Sequence, residues 1–92
     1  MATARELIRE GDLLLKSGDV RQARLPYEKA WLGGSPAGAY GMARSFDPVV
    51  LGSLALKNDK PDKVQALQWY GRATTAGHTV AADSIVRLRL TP

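Results

Sequence analysis

Ninety-two residues allow one compact domain, and the absence of cysteine excludes disulfides and thiolate-bound metals while leaving the redox compartment open. The 13 Lys and Arg are spread among nine acids for a net charge of +4, which argues against a dense nucleic-acid patch. No apolar run reaches the roughly 18 residues that a membrane span requires.

The opening MATARELIRE carries charges where a signal peptide has its apolar core, so no export signal is read; a bacterial cytoplasm and a periplasm both fit. A first helix is predicted from about Ala2 to Ser17. Ala4, Leu7, Gly11, Leu14 and Leu15 form its inner stripe, and Arg5, Arg9, Asp12 and Lys16 a solvated outer one, with Asp12 and Lys16 at the favourable i,i+4 spacing. A second helix follows, capped by Asp19 and running to about Leu32. Pro26 lies inside it and predicts a kink or a frayed first turn.

Gly33-Gly-Ser-Pro-Ala37 reads as a turn, with Ser35 as cap and Pro36 at the first position of a third helix that carries Ala39, Tyr40, Met42 and Ala43 and ends at Phe46. Asp47-Pro48 opens a fourth helix, from Val49 to Lys57. Val49, Val50, Leu51, Leu54, Ala55 and Leu56 make it apolar nearly all round, so it is expected to be the most buried element. A polar loop, Asn58-Asp-Lys-Pro-Asp62, leads into a fifth helix ending at Ala76. A final helix runs from Thr79 to Leu90, with Ala82, Ile85, Val86 and Arg89 along one side. The fold class expected is therefore all-α: a short stack of antiparallel helix hairpins with about six helices and no sheet.

The chain also repeats itself. Gly11-Asp-Leu-Leu-Leu-Lys16 aligns with Gly52-Ser-Leu-Ala-Leu-Lys57 at an offset of 41 residues. After a two-residue insertion the offset becomes 43, and Asp19, Gln22, Ala23, Tyr27, Ala30 and Gly34 match Asp62, Gln65, Ala66, Tyr70, Ala73 and Gly77. Ala23, Tyr27, Ala30 and Gly34 step by four, three and four, as do their counterparts, which is the spacing of one helix stripe. Small alanines beside a large tyrosine let two helices approach closely, and Gly34 and Gly77 stand where a helix end takes a left-handed residue. The division read from this is a first unit at 2–34, an inserted helix at 36–46, a second unit at 48–77 and a terminal helix at 79–90.

LGSLALKNDKPDKVQALQWYGRATTAGHTVAA resembles the Sel1-like repeat, a relative of the tetratricopeptide repeat, and GDLLLKSGDVRQARLPYEKAWLGG is similar to either. The residues that carry the resemblance are Leu51, Gly52, Asp62, Ala66, Trp69, Tyr70, Arg72, Ala73 and Gly77. The chain departs from the pattern where Gly34 to Leu51 takes 17 residues, room for one additional helix, and where Asn58-Asp-Lys-Pro replaces the usual Gly-x-Gly loop. The resemblance implies a right-handed stack of helix pairs and a role in holding other proteins together.

Signals for catalysis are sparse. His78 follows a helix-ending glycine and reads as a turn residue; no second histidine or cysteine can complete a zinc site, and no cofactor is expected. Gly33-Gly-Ser-Pro-Ala-Gly38 lacks the Gly-Lys-Ser/Thr ending of a phosphate loop. Ser35, Ser45, Ser53 and Ser84 show no nucleophile elbow. Tyr27 and Tyr70 are read as core, whereas Trp31 and Trp69 are candidates for a partner-binding surface. Arg21, Arg24, Lys29, Arg72, Arg87 and Arg89 are read as a solvated face.

The function expected is a non-enzymatic protein-interaction module that holds a peptide or helix on its repeat surface, with Arg5, Arg9, Lys16, Trp31 and Trp69 as contact candidates. An excess of positive charge favours a partner segment with acidic residues and one or two apolar anchors. The alternatives are a basic nucleic-acid-binding domain, or a self-associating domain of a longer envelope or regulatory protein. The last helix, with Ile85, Val86, Leu88 and Leu90, is more apolar than an end cap should be: either it folds back as a lid, or the module dimerises, or the chain is cut from a longer protein.

Overall fold

The computed structural model describes residues 2–54 and 60–91. These form six α-helices and no strand: α1 (Ala4–Lys16), α2 (Val20–Leu32), α3 (Pro36–Arg44), α4 (Pro48–Ser53), α5 (Lys63–Thr75) and α6 (Val80–Leu90). They pack into a slab of 40 × 28 × 16 Å. No helix among the described residues is long and apolar enough to cross a membrane.

Local chemistry explains most of the helix boundaries. Thr3, Asp47 and Asp62 cap α1, α4 and α5 by accepting the backbone N–H of Glu6, Val49 and Gln65. Asp19 and Ser35 hold the equivalent positions before α2 and α3 without a side-chain cap bond; Asp19 accepts the Ser17 hydroxyl instead, at 3.2 Å. α2 and α5 end alike. Gly34 and Gly77 take φ of 97° and 103° and donate back to the Trp31 and Thr74 carbonyls; Ser35 and His78 then donate to Ala30 and Ala73. This pair of bonds is the Schellman closure, and it needs a residue that tolerates positive φ. α2 passes through Pro26 without a break. The bond that Pro26 cannot donate falls at Gln22, an exposed residue.

With α4 aside, the described helices stack in chain order. α3 packs against α2 on one side and, as extensively, against α5 on the other, while α1 closes over α2 and α6 over α5. The helix read as an insert between units thus lies at the centre of the stack. Phe46 and Asp62 are joined by a backbone hydrogen bond of 2.8 Å from the Asp62 N–H. It brings the end of α3 to the start of α5, so that α4 sits in an excursion pinned at its base. α4 is not the most buried element: of its described residues only Leu51 is buried, while α3 buries Gly38, Ala39, Gly41, Met42 and Ala43. The predicted continuation of α4 over Ala55, Leu56 and Lys57 lies outside the described residues.

Small side chains explain why α3 sinks deepest. A Cβ on Gly38 would meet the backbone of Trp31 and Tyr27, and one on Gly41 would meet the Tyr27 ring, as would one on Gly11 from α1. Tyr27 is therefore held between two glycine faces, and the helices approach to backbone contact. The two cores follow the predicted stripes: Ala23 and Tyr27 with Leu15, Val20, Met42 and Leu51, and Ala66, Tyr70 and Ala73 with Ala39, Ala43, Ala81 and Leu88. In α1, Gly11 and Leu15 are buried as expected, but Ala4 is exposed and the half-buried Ile8 packs inward. In α6 the inner side is Ala81, Ser84 and Leu88 with half-buried Ile85; of the residues read along one side, Ala82, Val86 and Arg89 are exposed.

Candidate functional site

The repeat carries more than the tyrosine stripe. Continued past Gly34 and Gly77, the 43-residue offset maps Gly38, Gly41 and Arg44 of α3 onto Ala81, Ser84 and Arg87 of α6. Gly38 and Gly41 face α2, and Ala81 and Ser84 are buried in the same register on α6. The two arginines then meet carboxylates that accept from equivalent phenols. Tyr27 donates to the Asp12 carboxylate at 2.5 Å, and Arg44 lies 3.6 Å from the same oxygen. Tyr70 donates to the Asp47 carboxylate at 2.6 Å, and Arg87 donates to that oxygen as well. Each unit thus closes on a phenol, a carboxylate and an arginine drawn from three different segments.

The two clamps differ in setting. Asp12 is exposed on α1, whereas Asp47 is fully buried and also caps α4 through the Val49 N–H at 2.8 Å. A buried carboxylate is costly unless paired and hydrogen-bonded, and Asp47 receives three donors. In the sequence Asp47 reads as a cap and Asp12 as a partner of Lys16; neither clamp is visible there. Arg87, read as solvated, reaches this buried carboxylate. Arg24, also read as solvated, is half-buried: its guanidinium donates to the Ser45 hydroxyl at 2.9 Å and carbonyl at 2.7 Å and lies 3.7 Å over the Phe46 ring. It holds a cation at the carbonyl end of α3, where the helix dipole favours one.

Burial, and then the hydrogen bond to Asp12, push the Tyr27 phenol well above its ordinary value of 10.0; burial and Asp47 do the same to Tyr70. Between pH 10 and these raised values the folded chain retains phenol protons that the unfolded chain has lost. Stability is therefore at its full value below about pH 10 and falls as pH rises beyond it. Alkaline titration followed by ultraviolet absorbance and circular dichroism should show phenolate from Tyr27 and Tyr70 appearing together with loss of helix. Their ionisation with the helices intact would contradict this.

Of the predicted contact residues, the structure brings two together. Trp31 at the end of α2 and Trp69 in α5, both half-buried, meet edge to face with centroids 6.2 Å apart, a geometry the ring quadrupole favours. Arg72, one turn after Trp69, stacks over its ring at 4.5 Å. Beside them lies an open groove of about 530 Å³ lined by Trp31, Gln68, Gly71, Arg72, Thr75 and Ala76. Arg72 was expected in the solvated face; its position three residues from Trp69 on a helix is the signal that could have joined it to the tryptophans.

Arg5, Arg9 and Lys16 stand exposed on α1, a helix that packs on α2 and α3, so they form a separate surface from the tryptophan pair. A second groove, of about 470 Å³, runs between α1 and the end of α2, lined by Ala2, Ala4, Leu7, Lys29, Ala30 and Gly33. His78 packs against the Tyr40 ring at 4.5 Å in the turn before α6, and Ser45 is engaged with Arg24 and the Met42 carbonyl. Comparison of the chain with protein-family models, curated proteins and solved structures finds no match.

Proposed function

We propose that the chain is a non-catalytic helical-repeat module of the Sel1-like or tetratricopeptide kind, which binds a short acidic segment of another protein in the groove between α2 and α5. The observation that carries this reading is the Trp31–Trp69 pair with Arg72 stacked on it at an open groove. Tryptophan and arginine together dominate the energetics of protein interfaces, because a rigid ring already held in place loses little entropy on binding. Arg72 is exposed and offers its N–H edges to a carboxylate, while Trp31 supplies the apolar wall for an anchor side chain. The engagement of Ser45 and the packing of His78 on Tyr40 support a structural use for the residues that catalysis would recruit.

The test is a titration with synthetic peptides carrying two or three acidic residues around a leucine or phenylalanine, read by tryptophan fluorescence. Arg72→Glu should weaken binding by about tenfold or more, a loss typical of one interfacial arginine. Charge reversal at Arg5, Arg9 and Lys16 should change the salt dependence more than the affinity. Binding indifferent to Arg72→Glu would overturn the placement. Tight association with generic nucleic acid that collapses with salt, and none with peptides, would overturn the protein-binding reading itself.

A further inference from the structure

We propose that the outer face of α6 is a self-association surface, on which two copies of this chain pair antiparallel through Ala82, Val86 and Leu90. The 43-residue correspondence that equates α3 with α6 shows what this face is. On α3, Ala39 and Ala43 are fully buried under Ala66, Tyr70 and Ala73 of α5. Their counterparts on α6 are Ala82 and Val86, and both are exposed. The same face that is covered in the middle of the stack is bare on α6, with Val86 at 59 % and Leu90 at 79 % exposure. α1, on the other side of the stack, shows water Arg5, Glu6, Arg9, Glu10, Asp12 and Lys16 with Leu13 among them. α6 instead sets the exposed Ala82, Val86 and Leu90 beside Asp83, Arg87 and Arg89.

The chemistry of the face selects its occupant. The clamp carboxylates, 15 residues before Tyr27 and 23 before Tyr70, share no common register, and the position 43 residues after Asp47 is Leu90. Leucine there suits an apolar occupant. The face is also complementary to itself when reversed. With Val86 near the two-fold axis, the small Ala82 of one copy comes opposite the large Leu90 of the other. Asp83 and Arg87 lie along one edge of the stripe, so each Asp83 comes beside Arg87 of the second copy. Arg87 retains donors beyond the one it gives Asp47, since its side chain is 43 % exposed.

Sedimentation of the full chain over a concentration series tests this. The expected result is a monomer of 9.9 kDa at low concentration passing to twice that mass and no further. Val86→Glu and Val86→Lys should each remain monomeric, because like charges would face each other at the axis, and an equimolar mixture of the two should recover the dimer. Val86 is exposed, so both variants should keep wild-type helix content by circular dichroism. A wild-type chain that stays monomeric throughout, a mass that grows past the dimer, or a dimer unaffected by Val86→Glu would each overturn the proposal.

Discussion

Asp47→Ala should cost about 3 kcal/mol or more of folding stability, the loss seen when one partner of a buried charge pair is removed. The carboxylate is fully buried and receives Tyr70, Arg87 and the Val49 N–H together. Alanine would leave the Tyr70 hydroxyl buried without an acceptor, remove the cap of α4 and strand Arg87. Because Arg87 reaches water, part of its charge stays solvated, which places the expected loss toward the lower end of the usual range of about 3–5 kcal/mol. Against a total of about 5–15 kcal/mol for a domain, that is enough to move a denaturant midpoint conspicuously. Asp47→Asn keeps one acceptor oxygen, enough for Val49 or for Tyr70 but not for both, since they bond to different carboxylate oxygens, and should lose less than alanine. An alanine variant within about 1 kcal/mol of wild type would mean that the clamp contributes little.

Two glycine-to-alanine substitutions should move stability in opposite directions. In Gly38→Ala the new methyl meets the α2 backbone at Trp31 and Tyr27, which cannot step aside as a side chain can. Separating α3 from α2 should cost about 1–3 kcal/mol by overpacking, or somewhat more given the backbone obstacle, exceeding the roughly 1 kcal/mol that alanine gains over glycine within a helix. Gly71, within α5, has nothing within 4 Å of the point where a methyl would stand. Gly71→Ala should therefore stabilise by about 0.5–1 kcal/mol. Thermal melts of both proteins check this; stabilisation by Gly38→Ala would contradict the close approach of α2 and α3.

These outcomes bear on what the amino-acid order conveys. Ala23, Tyr27 and Ala30, and Ala66, Tyr70 and Ala73, were legible as core because a residue repeated on one helix face carries a periodic signal, and all six are buried. Apolar content misled where α3 and α4 were compared. Val49, Val50, Leu51 and Leu54 suggested depth, yet the glycines and alanines of α3 sink further, because depth here follows from backbone approach rather than side-chain hydrophobicity. α6 intersperses Asp83, Ser84, Arg87 and Arg89 among its apolar residues, so its pattern could not say which side faces inward. Asp12 and Asp47 are single polar residues outside the 43-residue correspondence, and Arg44 and Arg87 match within it; their joint role exists only once three segments meet. For the tryptophans the sequence left exposure open, and the structure resolves it as half-burial with mutual contact.

A phenol, a carboxylate and an arginine meet twice in this chain, 43 residues apart at the phenol and at the arginine. Double-mutant cycles on folding stability test that arrangement most directly, using Tyr27→Phe with Asp12→Ala, Tyr70→Phe with Asp47→Ala, and the crossed pair Tyr27→Phe with Asp47→Ala. Coupling of about 1 kcal/mol is expected within each clamp, and none beyond about 0.5 kcal/mol for the crossed pair, which shares no partner. Independent, additive losses within both clamps would contradict a fold closed twice by the same three groups.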